Sequence, residues 1–158
     1  MPESITIPSS DIMNTIVNGL ISLFDLIAKL VPDWLIALLA RGAVAYTFWS
    51  SGRTKVSGFL DISQSTYFLF EHEYKVPLIP HELAAHLATY AEHLFPILLV
   101  FGLFTRFAAL SLLGMTVVIQ LFVYPDAWNV HMWWAIALLY LIRHGAGQAS
   151  LDRLFWRR

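Results

Sequence analysis

Four long apolar stretches dominate this chain and limit what it can fold into. A helix that crosses a bilayer needs about 20 mainly apolar residues, with a range of roughly 17–25. The first stretch follows Pro32 and the N-cap candidate Asp33, and runs from Trp34 to about Gly52. The second runs from about Leu83 to Phe104, and the third from Phe107 to Tyr124, where Pro125-Asp126 stops it. The fourth, Trp128 to Ile142, is short and ends where Gly145 and Gly147 can break a helix. Composition agrees. Of 158 residues, 58% are hydrophobic and 13% charged, and mean hydropathy is +0.63. A soluble domain carries about 25% charged residues, and a chain this short cannot hide so much apolar surface in one water-soluble core. The balance excludes intrinsic disorder, a basic nucleic-acid-binding domain and an ordinary cytosolic enzyme. Lack of cysteine excludes disulfides, iron–sulfur clusters and thiolate metal sites. The expected fold is all-α: an integral membrane four-helix bundle.

The segment before Pro32 reads differently. From Asp11 onward Asn14, Thr15, Asn18, Ser22, Asp25 and Lys29 recur every three or four positions, with Ile, Val, Leu and Phe between them. That is an amphipathic helix suited to a membrane surface or to packing on other spans; a fifth span is the competing reading. Residues 1–33 therefore form an N-terminal segment and 34–158 the membrane domain. An acidic start (Glu3) without a basic n-region argues against a cleaved signal peptide. Counting bases, Lys29, Arg106, Arg143, Arg153, Arg157 and Arg158 fall on one side, and Arg53, Lys55 and Lys75 on the other. This asymmetry favours cytoplasmic termini in a plasma (inner) membrane. Trp34, Trp49, Tyr124, Trp128 and Trp156 lie near span ends, where amphipathic rings sit. The outer connection, about Arg53 to Glu82, contains FLFEHEYKVPLIP and reads as a helical, aromatic segment packed on the outer face.

Polar residues inside the spans are the candidates for function. Arg41 lies roughly 10 Å into the first span, where a central arginine costs about 2.5–3.5 kcal/mol on the insertion scale. Glu92 lies in the second span, and these two are the opposite charges within the predicted spans. Arg41 and Glu92 are therefore expected to meet. Pro96 would free the Glu92 carbonyl as a further acceptor for the guanidinium. Such a site could hold a polar head group, such as a quinone ring, or a proton; alternatively the pair only fixes helix packing. Glu82, His86, Tyr90 and His93 share one face of the second span, and His131 lies near the outer end of the fourth. Paired histidines can ligate haem, but hydrogen-bonded or interfacial histidines are the more ordinary reading. No spacing points to zinc or another metal. Gly145-Ala-Gly-Gln-Ala-Ser150 lacks the strand and third glycine of a dinucleotide loop. It reads instead as a helix end, with Ser150 capping the short helix LDRLFWRR. Thr116 and Gln120 read as helix-packing contacts.

The chain resembles the DoxX family of small four-span bacterial membrane proteins. The matching strings are Arg41-Gly42, then Gly52 and Lys55, FEHEYKVPLIP in the outer loop, and HELAAHLATYAEHLFPILLVFGLFTR. Phe107-Ala-Ala and the ending Gly145-x-Gly147-x-x-Ser150-Leu151-Asp152 complete the match, which covers roughly Trp34 to Leu154. One departure is His81, where related loops often carry a second proline. By match to the family pattern, Arg41, Lys55, Glu92, Thr105 and Arg106 are the implied positions of interest; no catalytic residue is implied. The resemblance implies an accessory or membrane-anchor subunit of a quinone-linked redox or oxidative-stress complex, in contact with lipid, with a redox enzyme subunit as partner or with copies of itself. The alternatives are a non-catalytic structural or interaction protein, and a small transporter or proton path.

Overall fold

The computed structural model describes residues 9–155, with side chains from Asp11 onward. Glu3, Trp156, Arg157 and Arg158, used above for the leader and topology, lie outside these residues. The chain divides into two compact units at Asp33. In the first, α1 (Ser9–Leu30) is a single helix of 22 residues. Two hydroxyls of its polar stripe bond locally: those of Thr15 and Ser22 donate to the carbonyls of Asp11 and Asn18. Residues 11–30 are also long and apolar enough to cross a membrane. The fifth-span alternative is thus met by length and composition.

The second unit is all-α. It comprises α2 (Asp33–Thr54), α3 (Gln64–Leu69), α4 (His81–Phe101), α5 (Thr105–Val118), α6 (Trp128–His144) and α7 (Leu151–Phe155). Two π turns extend the pattern, Phe70–Tyr74 after α3 and Ile119–Val123 after α5. The four expected spans correspond to α2, α4, α5 with its π turn, and α6. Two of them, His81–Phe101 and Thr105–Val123, are long and apolar enough to cross a membrane. The polarity of Arg41 and the hydroxyls Thr47, Ser50 and Ser51 lowers α2, and α6 has only 17 residues. These two helices join the bundle by packing. Val44, Ala45 and Phe48 of α2 share a buried core with Leu99 of α4, Ala108, Ala109 and Leu112 of α5, and Leu138 and Leu141 of α6.

Around that core the polarity is that of a lipid-solvated protein. Leu39, Tyr46, Leu110, Leu121, Trp133 and Ile136 point outward and are more than half exposed. Arg41, Lys55, Glu92, Thr105, Gln120 and His131 are buried. Water would reverse both preferences.

The connection between α2 and α4 is helical and aromatic, as its sequence predicts. Ser63 caps α3 by accepting from the Thr66 N–H. Phe70 then packs on Ala84 and Ala85 at the start of α4, flanked by Tyr67, Tyr74 and Ala88. At the opposite end, α4 closes in a Schellman motif: Leu103 N–H donates to the Leu98 carbonyl and Gly102 N–H to that of Leu99. Gly102 sits at φ +62°, and a Cβ there would run into the Arg41 guanidinium and Ser150. No other residue type fits.

Candidate functional site

Glu92 does not meet Arg41. Its carboxylate lies 2.7 Å from the Lys55 ammonium and accepts a second bond, 3.2 Å, from the Ser51 hydroxyl. Lys55 also donates to Ser51 Oγ at 2.9 Å and, more loosely, to the Ser51 carbonyl at 3.4 Å. Glu92 and Lys55 are 3% and 6% exposed, so the pair is removed from solvent. The reason is register. In the antiparallel α2–α4 pairing Gly52 faces Glu92 and His93, where a Cβ would come within 2.9–3.1 Å of their side chains. Arg41 lies eleven residues below Gly52, about 16 Å along the helix, and so faces Leu99 instead.

Lys55 is held from both sides. It caps the end of α2, and its carbonyl accepts from Ser63 N–H at 3.0 Å and from the Thr66 hydroxyl at 2.8 Å. The loop between is pinned by the Val56–Ile62 bridge. The ammonium is thereby turned into the bundle.

Arg41 takes backbone partners. Its guanidinium donates to the Ala149 carbonyl at 2.6 Å and the Leu99 carbonyl at 3.4 Å. It thus ties the end of α4 to the segment that leads into α7. The Glu92 carbonyl freed by Pro96 is not the acceptor, although Pro96 is fully buried inside α4. Asp152, beside this clasp, accepts from the N–H groups of Phe104 and Thr105 at 2.7 and 2.9 Å, capping α5. Its own N–H donates to the Gly102 carbonyl at 2.8 Å. Thr105 is buried there, and Arg106 donates to the Arg143 carbonyl at 3.3 Å. These two family-pattern positions belong to the joint between α5, α6 and α7. They are distant in the fold from the Lys55–Glu92 pair.

The histidines are separate. His86 Nδ1 donates to the Glu82 carbonyl, and its Nε2 lies 3.3 Å from the Tyr67 hydroxyl. His93 donates to the Thr89 carbonyl at 2.7 Å and rests edge-on against Trp49. His131 bonds Gln120 Oε1 at 2.7 Å. Among the described residues no three His, Asp or Glu side chains converge as a metal site would require.

The Lys55–Glu92 pair forms part of the wall of a cavity of about 610 Å³. Phe48, Phe70, Ala84, Phe95, Met115 and Trp134 supply apolar wall; Tyr74, Tyr124, His86 and His131 supply polar atoms. Leu87, Tyr90 and Leu94 of α4 and Val118 of α5 line it while also facing outward. The cavity therefore opens on a flank of the bundle that lipid covers. Sequence reasoning missed Ser51 as a member of this site, and Gln120 as the partner of its His131. It set Lys55 in the outer loop because the apolar run ends at Gly52. The i, i+4 spacing of Ser51 and Lys55 was the available signal.

With this geometry in view, the comparisons agree. The DoxX family model matches residues 36–125. A protein of Haemophilus influenzae, itself described only as uncharacterized, is 34% identical over 128 residues, covering 74% of this chain and 81% of that relative. No solved structure matches the chain. The chain belongs to the DoxX family, and it is a helical membrane protein.

Proposed function

We propose that the protein is an accessory or membrane-anchor subunit of a quinone-linked redox complex, and that the cavity receives the quinone head group beside Lys55 and Glu92. One observation carries this reading: a mostly apolar cavity of about 610 Å³ with a buried, hydrogen-bonded ion pair in its wall. Ligand pockets of roughly 300–1,000 Å³ have this character, apolar walls with a few convergent polar groups. A buried pair is weak as a source of stability, because desolvation offsets its attraction. Its presence in a lipid-facing cavity is better accounted for by a ligand that uses it. Lys55 has three N–H donors, and the 3.4 Å bond to the Ser51 carbonyl is the weakest. That donor is the one a head-group oxygen would take over. The opening on the bundle flank suits a molecule that arrives from the bilayer.

Arg41 supports a packing role instead, since its guanidinium donates to the backbone carbonyls of Leu99 and Ala149. The structural reading is retained for that end of the molecule only. Titration of decyl-ubiquinone into the detergent-solubilised protein tests the proposal through tryptophan fluorescence, with Trp134 in the cavity wall. Saturable quenching is expected, weakened about tenfold or more in Lys55→Met and unchanged in the outward-facing Leu139→Ala. A redox enzyme subunit should copurify in mild detergent. Non-saturable quenching with no redox partner would overturn the proposal.

A further inference from the structure

His131 is a polar cavity residue that the Lys55–Glu92 chemistry does not use. It sits on the first turns of α6, is 5% exposed, and lines the cavity with its ring tilted on Trp134 at 4.8 Å. Its protonation pattern is set by a chain of two bonds. Gln120 Nε2 donates to the Pro125 carbonyl at 2.5 Å, which orients the amide and leaves Oε1 toward the histidine. An amide oxygen only accepts, so the His131 Nδ1 lying 2.7 Å from it must carry the proton. In the neutral ring Nε2 is then an acceptor. Among the described residues Nε2 has no hydrogen-bond partner. The carbonyl of Pro125 is available because the π turn Ile119–Val123 ends α5 just before it.

We infer that His131 is the acceptor for a hydroxyl on the cavity ligand, so that the site selects lipid-soluble molecules whose head group donates a hydrogen bond, that is, phenols and hydroquinones. This rests on the reading of the cavity as a ligand site and narrows its substrate class. A quinone in its oxidised form offers only acceptors and is served by Lys55. The reduced form also offers hydroxyl donors, and His131 Nε2 is the group that meets one. A ligand that covers this acceptor without bonding it removes its access to water and returns nothing, so a ligand that lacks the donor binds less well.

Two probes that differ by one methyl group decide it: 4-octylphenol, and 4-octylanisole, whose methyl ether cannot donate. Both are titrated into the full-length purified protein in detergent and read by calorimetry. The phenol should bind about tenfold more tightly than the ether, equivalent to about 1.4 kcal/mol. His131→Phe should bring the phenol to the ether's affinity and leave the ether unchanged. Gln120→Met keeps the imidazole but releases its tautomer, and should shrink the preference; it serves where His131→Phe does not accumulate. Equal binding of both probes to the unaltered protein, or a preference that survives His131→Phe, overturns this inference while the cavity reading stands. Failure of both probes to bind overturns the cavity reading itself.

Discussion

A cation among apolar neighbours is stabilised by the acceptors around it, and the buried cations Arg41 and Lys55 find different ones. Arg41 spreads its planar donors over two backbone carbonyls, that of Ala149 before α7 and that of Leu99 near the C-terminus of α4, where the partial negative charge of the backbone favours a cation. Lys55, a compact point charge, is neutralised by one carboxylate and one hydroxyl. Removing one partner of such a pair leaves an uncompensated buried charge and costs about 3–5 kcal/mol; replacing both with apolar residues costs far less. Lys55→Met and Glu92→Met should therefore each lower the thermal midpoint in detergent, and the double variant should recover most of the loss. Simple addition of the two losses would show that the residues are not coupled. The residue types were legible in the sequence: a buried acid and a buried base that had to be satisfied. Their pairing was not, because Arg41 and Lys55 compete for Glu92 and only the α2–α4 register, set at Gly52, decides between them.

Among the helices, α5 begins in an unusual way. Phe104 precedes it in the left-handed region at φ 48°, and the first N–H groups are satisfied by Asp152 from 47–48 residues further along the chain. A side-chain cap of this kind contributes typically about 1 kcal/mol. Asp152→Ala should lower the midpoint by that order and speed hydrogen exchange at the Phe104 and Thr105 amides, with exchange at mid-α4 unchanged. Ser150 as the cap of α7 was readable from its place before LDRLF, and its Oγ accepts from Arg153 N–H at 3.3 Å. Asp152 as the cap of α5 was not, since nothing local links the two segments. The π turn Phe70–Tyr74 makes a separate prediction. Burial first, and then the hydrogen bond with Tyr124, raise the Tyr74 phenol above the ordinary tyrosine value. The folded state thus keeps a proton that the unfolded state loses, so stability is unaffected below about pH 10 and falls as pH rises beyond it. In an ultraviolet titration Tyr74→Phe should remove the latest phenolate transition. Loss of an early one instead would place Tyr74 in water.

Over the whole molecule, the apolar runs announced membrane helices because that signal is carried by each segment alone. The cavity was invisible to the same reading, since it is bounded by residues from α2, the outer segment, α4, α5 and α6. Its polar groups are scattered between Ser51 and His131, and only packing gathers them. The proposed function requires that a membrane-soluble molecule with a polar head occupies this space and is held by Lys55 and Glu92. Organic extraction of the purified protein followed by mass spectrometry tests it directly. Isoprenoid quinone should be recovered at close to one molecule per chain from the unaltered protein and be lost from the Lys55→Met/Glu92→Met double variant. Recovery of phospholipid alone, or of the same amount of quinone from both proteins, would contradict it.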